Sequence, residues 1–597
     1  MTPPNRDSSA GLLVAPSLGP AMGREHVKQI PAIMDKRDAF ISALAVILGI
    51  ASVGVAEVLV RMIAVVTNLS FYGRWSMSYA SPAGNHMGVA VIAVPVVGGI
   101  IVGIMARYGS RAIRGHGIPE AMEQILTNDA RIPVKITFLK PTSSAIAIGT
   151  GGPFGAEGPI IATGGALGSA IGQYIRVSSQ ERKTLLAAGA AAGMTAIFGT
   201  PIAATLIAIE LLLFEYRARS VVPVALASAA AGGLRAIIHG AGPVFAMPEI
   251  QSLTWQTDVV ATIVGGLVGV VSVYVTKIVY WIEDWFEELP IHWMWWPALG
   301  AVAVGIIGYF APRTLGVGYD NIEGALAGAF TTKALIVLVV AKFVSWAVAL
   351  GTGTSGGTLA PLMTFGSGIG WLITAGCAAL APSAGIDPRV GALVGMTAMF
   401  AGASRALMAS IAFALESTQQ IHAVVPIVLG VSIAYFASCL LMRTTIMTEK
   451  LVRRGVTVAS EYDVDPLAHV SVASLASRAL HSLQLTQSVA DALAEVSRNG
   501  WRHQGYPVIQ EGKLLGVVTT RELISADAAS PIADLVTRDP VTVQESETAR
   551  DAVTRMAEEE VGRLVVITRA GTPIGMLTRS DVVRAFAAKK GLAPEGL

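Results

Sequence analysis

From about residue 39 to residue 442 the chain is dominated by apolar residues, in runs long enough to cross a hydrocarbon core of about 30 Å, roughly 20 residues each. Such runs are read at residues 39–67, 87–106, 259–280, 298–311, 334–350, 359–381, 390–414 and 424–442. Between the second and third lies a stretch, 115–215, that is apolar yet broken repeatedly by Gly and Pro. Inside a bilayer such irregular backbone is tolerated only where it lines a cavity or is covered by protein. The stretch is therefore expected to surround something.

After Arg443 charge returns to the density of a soluble domain, which marks a domain boundary. This part repeats itself. Val489-Ala490-Asp491-Ala492-Leu493 returns as Ala549-Arg550-Asp551-Ala552-Val553, and Gly516-Val517-Val518-Thr519-Thr520-Arg521-Glu522-Leu523 as Gly575-Met576-Leu577-Thr578-Arg579-Ser580-Asp581-Val582. Each unit of about 60 residues reads helix, strand, turn, strand, helix, with turns at Gln510-Glu511-Gly512-Lys513 and Arg569-Ala570-Gly571-Thr572.

Composition agrees with a membrane protein: 53% of the 597 residues are hydrophobic and 14% charged, about half the charged share of a soluble domain. A net charge of +2, with no basic stripe, gives no sign of nucleic-acid binding. Cys377 and Cys439 both lie in apolar runs and are read as buried thiols, not as a disulfide or metal site. The N-terminal residues carry no compact apolar segment followed by a cleavage site, so the first span is expected to be retained and the leader cytoplasmic. Lys28, Lys36 and Arg37 precede the first span and Arg107, Arg111 and Arg114 follow the second, while the loop between them holds only Arg74. The excess of positive charge puts both ends of this pair on the cytoplasmic side. Trp281, Trp285, Trp293, Trp295 and Trp296, beside Glu283, Asp284, Glu287 and Glu288, read as an interfacial aromatic belt.

Three Gly/Pro motifs carry the candidate chemistry. Gly115-His116-Gly117-Ile118-Pro119-Glu120 precedes a helical pattern, with Pro119 suited to a first helical turn. Free N–H groups and the positive dipole end of such a helix can hold an anion without a buried lysine. Gly151-Gly152-Pro153-Phe154-Gly155-Ala156-Glu157-Gly158-Pro159 places one carboxylate among glycines at membrane depth. There an acid costs about 2.5–3.5 kcal/mol, and no Lys or Arg between Lys140 and Arg176 is available to pair with it. Gly351-Thr352-Gly353-Thr354-Ser355-Gly356-Gly357-Thr358-Leu359-Ala360-Pro361 has the same texture in the other half. One such break is commonly packing, but breaks in both halves point to a shared ion site at the membrane midplane.

In this order, and followed by the C-terminal repeat, these motifs resemble the CLC family of chloride channels and proton-coupled chloride exchangers, with tandem CBS modules. The resemblance implies an all-α polytopic membrane protein built as an inverted repeat of tilted and re-entrant helices, followed by a cytoplasmic α+β CBS domain. It divides the chain into an N-terminal segment (1–37), a pore domain (38–455, halves of about 38–240 and 255–455), a linker (456–470) and CBS modules (about 471–528 and 531–590). It implies a homodimer in the plasma (inner) membrane, with chloride or another small anion as substrate and no required cofactor. Glu157 would be the gate, competing with the anion when ionised. Gly115, His116, Gly117, Ile118, Pro119, Gly155, Ala156, Gly158, Pro159, Gly357, Thr358, Leu359, Ala360 and Met447 would line the anion site. In the CBS modules Thr519 with Glu522 and Thr578 with Asp581 would meet the ribose and phosphate of an adenine nucleotide; a nucleotide-free dimerisation module is the alternative.

Four positions depart from the family pattern. His116 stands where a pore serine is expected, Met447 where a tyrosine is expected, and Leu359 where an aromatic is expected. Methionine offers no O–H donor, whereas imidazole still donates. At the proton-relay position stands Leu211, with the acid Glu210 one residue earlier, about 100° away around a helix. Leucine cannot carry a proton. Glu416 matches a family acid after a late span, in a packing or a pore role. The leading expectation is thus a Glu157-gated anion channel, with a chloride/proton antiporter of the same fold as the alternative. A third reading is a CBS-based nucleotide sensor on a poorly conducting membrane domain. No nucleophile–base pair, metal cluster or phosphate loop suggests an enzyme.

Overall fold

Asp35 caps the first helix, α1 (Lys36–Tyr72), by accepting the N–H groups of Arg37 and Asp38, and Gly73 ends it in the left-handed conformation. The structure, a computed structural model, describes residues 34–250, 253–456, 467, 470–478, 480–501 and 504–589. Most of the expected N-terminal segment (1–37) and linker (456–470) therefore lies outside the described residues. The chain forms two compact units, one of them Met34–Tyr462 and the other holding Asp463–Leu597.

The larger unit continues with α2 (Ala93–Ile104), α3 (Ile118–Thr127), α4 (Ile136–Gly149), α5 (Glu157–Tyr174), α6 (Ser179–Phe198), α7 (Pro201–Ile207) and α8 (Ala218–His239). Its second part holds α9 (Trp255–Glu287), α10 (Trp296–Phe310), α11 (Tyr319–Leu326), α12 (Thr332–Gly351), α13 (Leu359–Leu380), α14 (Pro388–Ser404), α15 (Leu407–Thr418), α16 (Val424–Leu441) and α17 (Glu449–Arg453). Among the described residues, eight helices are long and apolar enough to span a membrane. Seven match the sequence reading.

Two expectations fail. The run 390–414 is not one span, because Arg405 adopts the left-handed region (φ 59°) and separates α14 from α15. Its guanidinium holds the break open by donating to the carbonyls of Ser438, Met442 and Arg443. The eighth span is instead Ala218–His239, in which Arg219 and Arg235 leave an uncharged run shorter than the roughly 20 residues expected of a span. The Gly/Pro-rich stretch 115–215 is mostly helical, in short pieces with breaks between them. Nor are the cysteines buried: Cys377 is half-buried and Cys439 exposed. An apolar run in a membrane protein faces lipid as readily as protein.

The order α3 to α7 recurs as α11 to α15. Lys140 on α4 is buried and donates to the carbonyls of Ile113 and Gly115, both at 2.8 Å. Lys342 on α12 does the same to Thr314 (3.0 Å) and Gly316 (2.9 Å). Glycines bring α5 against α6, since a Cβ on Gly164 would meet the Gly189 carbonyl oxygen at 2.2 Å. Gly366 on α13 meets the Gly395 oxygen of α14 at 2.6 Å in the same manner.

In the smaller unit, α18 (Val472–Leu475), α19 (Val489–Arg498), β1 (Gly505–Gln510), β2 (Lys513–Thr519) and α20 (Thr520–Ser525) precede β3 (Thr542–Gln544), α21 (Ala549–Glu558), β4 (Arg563–Ile567), β5 (Pro573–Thr578) and α22 (Arg579–Lys589). β1 pairs antiparallel with β2 through the two-residue turn Glu511-Gly512, both at positive φ. β4 lies parallel to β3 and antiparallel to β5. Each repeat has its own core, one around Tyr506, Val508 and Val518 and the other around Val543, Leu564 and Leu577. The repeats interlock, because Val472 joins the second core.

Candidate anion site

Gly155 and Gly357 tie the two halves together at the centre of the larger unit. Each donates its N–H to the other's carbonyl, at 3.3 and 3.0 Å, as an isolated antiparallel bridge. The first-half loop joins them: a Cβ on Gly117 would meet the Gly158 oxygen at 2.2 Å, and one on Gly158 the His116 oxygen at 2.1 Å. All three sequence motifs thus meet at one place, and only glycine fits at their crossing.

Glu157, the first residue of α5, is fully buried there. Its Oε1 accepts the Ala360 N–H at 2.7 Å, at the N-terminus of α13, and its Oε2 accepts the Tyr319 hydroxyl at 3.2 Å. The carboxylate lies back over the glycine bridge, where a Cβ on Gly155 would meet Oε2 at 1.8 Å and one on Gly357 would meet Oε1 at 2.8 Å. Oriented N–H groups and the positive end of a helix dipole are what a small anion needs, and here the protein's own carboxylate occupies them. Lys140, the nearest preceding lysine in the chain, is engaged by carbonyls.

The flanking residues follow in part. Ala156, Ile118, Pro119, Pro159, Thr358, Leu359 and Met447 are all buried. Gly115 (φ 97°) and Gly117 (φ 100°) carry His116, which is buried and whose Nδ1 has no hydrogen-bond partner among the described residues. One expectation is corrected: the Gly117 N–H is not free, because Glu120 Oε2 accepts it at 2.6 Å as a helix cap. Met447 sits two residues before α17, whose Lys450 lies 3.9 Å from Glu120.

Leu211 is buried in the turn of wide helix Ala208–Leu213 after α7. Glu210 is turned elsewhere, accepting the N–H groups of Met408 (3.0 Å) and Ala409 (3.1 Å) at the start of α15. Glu416 does the reverse, accepting those of Ile202 (2.9 Å) and Ala203 (2.8 Å) in α7. Both acids are helix caps.

Sequence reasoning missed Tyr319. It begins α11, and its ring packs edge-on against Phe198 (5.7 Å) and Phe245 (6.1 Å), which with Phe413 form an aromatic cluster. The spacing Gly316-Val317-Gly318 echoes Gly115-His116-Gly117 and could have pointed to the residue after it.

In the smaller unit the candidate nucleotide residues form capping boxes. The Thr519 hydroxyl and N–H both donate to Glu522 Oε2 at 2.7 Å, and those of Thr578 donate to Asp581 Oδ2 at 2.6 and 2.9 Å.

Broken helices meeting around a carboxylate that sits on backbone donors define a membrane-embedded anion transporter. A family model described as "Voltage gated chloride channel" matches residues 97–439, and CBS domain models match residues 472–529 and 532–588. The chain belongs to the CLC family and carries two CBS domains. It is 30% identical over 329 residues, 53% of this chain and 69% of the relative, to a protein of Vibrio parahaemolyticus named H(+)/Cl(-) exchange transporter ClcA. It is 27% identical over 350 residues, 58% of this chain and 82% of the relative, to a putative chloride channel protein, ClcB-like, of Ralstonia nicotianae. A slow cyanobacterial Cl-/H+ antiporter shares the fold with a TM-score of 0.63 at 21% identity, over 71% of this chain and 99% of that one. A eukaryotic CLC transporter does so with a TM-score of 0.60 at 18% identity, over 91% and 97%.

Proposed function

We propose that this protein exchanges chloride, or a similar small anion, for protons, with Glu157 as the gate. The observation that carries this is the Glu157 carboxylate seated on the Ala360 N–H. Ionised, it fills the anion's place. Protonated, it loses the charge that the helix end attracts, swings away and lets an anion take the donors. Each opening then takes up a proton, so anion and proton movements are linked. The relatives named as exchangers weigh the same way.

Leu211 is what favours the channel reading, in which the same gate opens without net proton transfer. Under the exchange reading the proton travels by a route that uses neither position 211 nor the capping carboxylate of Glu210. His116 lines the anion path in place of a hydroxyl and, with Met447 and Leu359, sets its selectivity. The protein acts as a homodimer in the inner membrane with its CBS unit on the cytoplasmic side, where an adenine nucleotide would compete for the Thr519 and Thr578 caps. Proton movement measured with a pH electrode outside anion-loaded proteoliposomes tests the exchange reading.

A further inference from the structure

We infer that Tyr319 is the latch of the gate: its hydroxyl holds ionised Glu157 in the closed position. This rests on the reading of Glu157 as the gate.

Beyond its own helix, Glu157 accepts from the Ala360 N–H at 2.7 Å and the Tyr319 O–H at 3.2 Å, with the Leu359 N–H beside them. The N–H groups are backbone and fixed; the Tyr319 hydroxyl is the only side-chain donor to the carboxylate among the described residues. The neighbouring Leu359 has no hydroxyl to offer.

Tyr319 is also held to this task. Gly318 precedes it at φ 77°, and the loop before it is pinned by Lys342 on the carbonyls of Thr314 and Gly316 and by Asn321 Nδ2 on the Arg313 carbonyl at 2.8 Å. Phe198 and Phe245 fix the plane of the ring at 63° and 65° to their own. A phenol so constrained loses little freedom on bonding the carboxylate. Ile118 follows Gly117 in the first half as Tyr319 follows Gly318 in the second, so the donor is built into one half only.

The other ionisable groups on the elements packed around the pair include Lys342, Asp320, Glu323 and Tyr79 on the side of Tyr319, and His116 on the first-half loop with Glu120 on α3 and Lys140 on α4. The two lysines are engaged by carbonyls. A hydrogen bond to the ionised form of an acid favours that form. Removing it makes protonation, and hence opening, easier.

The experiment is the pH dependence of anion flux in proteoliposomes for the unaltered protein, Tyr319→Phe and Glu157→Gln. Tyr319→Phe keeps the ring packing and is expected to move half-maximal flux to higher pH by about one unit. Incorporating 3-fluorotyrosine at position 319, a stronger donor of the same shape, is expected to move it to lower pH. Profiles that superimpose for either substitution, with Glu157→Gln insensitive to pH, overturn the latch and leave the gate standing. A Glu157→Gln profile that keeps the original pH dependence overturns the gate itself. If Tyr319→Phe does not fold, the fluorotyrosine shift decides alone, since one hydrogen atom is all it replaces on the ring.

Discussion

Glu210 and Glu416 cap across the two halves in opposite directions: Glu210 accepts N–H groups of α15, and Glu416 accepts N–H groups of α7. The exchange locks the two halves together near their short helices. It also removes Glu210 from any proton path that requires a free carboxylate.

Replacing either acid by Ala strands two N–H groups at a helix start, a loss of about 1–3 kcal/mol for bonds to a charged acceptor. Thermal melting of the detergent-solubilised protein should fall for Glu210→Ala and Glu416→Ala alike. Glu210→Gln keeps an acceptor and should leave the ratio of protons to anions unchanged. A lost proton flux with unchanged melting would instead make Glu210 a relay.

Lys140 and Lys342 are both buried and donate to carbonyls ahead of α3 and α11. Substitution by Met retains the stem and strands two carbonyls in each case, about 1–3 kcal/mol apiece. Both variants are expected to yield less folded protein by size-exclusion chromatography. Lys342→Met, which also frees the loop that carries Tyr319, is expected to shift the flux–pH profile, whereas full yield of either variant would contradict the pinning role.

The three glycine motifs and Glu157 are legible in the sequence, because close backbone approach and positive φ demand glycine, and an acid in an apolar run is rarely there for packing alone. Tyr319, Lys140 and Lys342 are not. Each belongs to a residue type that usually packs or snorkels, and its role comes from a contact between segments far apart in the chain. The split of 390–414 is hidden for a similar reason, since Arg405 bends the backbone by bonding carbonyls after α16 and at its end. Ala218–His239 escapes because Arg219 and Arg235 cut its uncharged run short of the roughly 20 residues expected of a span.

His116 presents a buried imidazole whose Nδ1 has no protein partner among the described residues. His116→Ser exchanges that larger donor for a small hydroxyl at the same loop position. The order of permeation among chloride, nitrate, bromide and fluoride, from flux assays with each anion, is expected to change. Identical ratios would mean that the side chain does not meet the ion.

In the CBS unit, burial pushes the Asp581 carboxyl up, but the bonds it accepts from the Thr578 hydroxyl and N–H and from Arg584 outweigh that and hold it below its ordinary value. A carboxyl lowered on folding stabilises above its unfolded pKa and loses that contribution as pH falls through the folded one. Hydrogen-exchange protection at the start of α22 in the intact protein should therefore drop below about pH 4. Asp581→Asn should flatten this dependence and weaken the cap, and an unchanged profile would show that the bond does not matter.

The exchange reading itself is tested most directly by following protons during chloride flux. Proteoliposomes loaded with chloride and diluted into low-chloride medium are expected to take up protons in fixed proportion to chloride efflux, and Glu157→Gln is expected to abolish proton uptake while chloride still moves. Chloride efflux from the unaltered protein with no accompanying proton movement would contradict it.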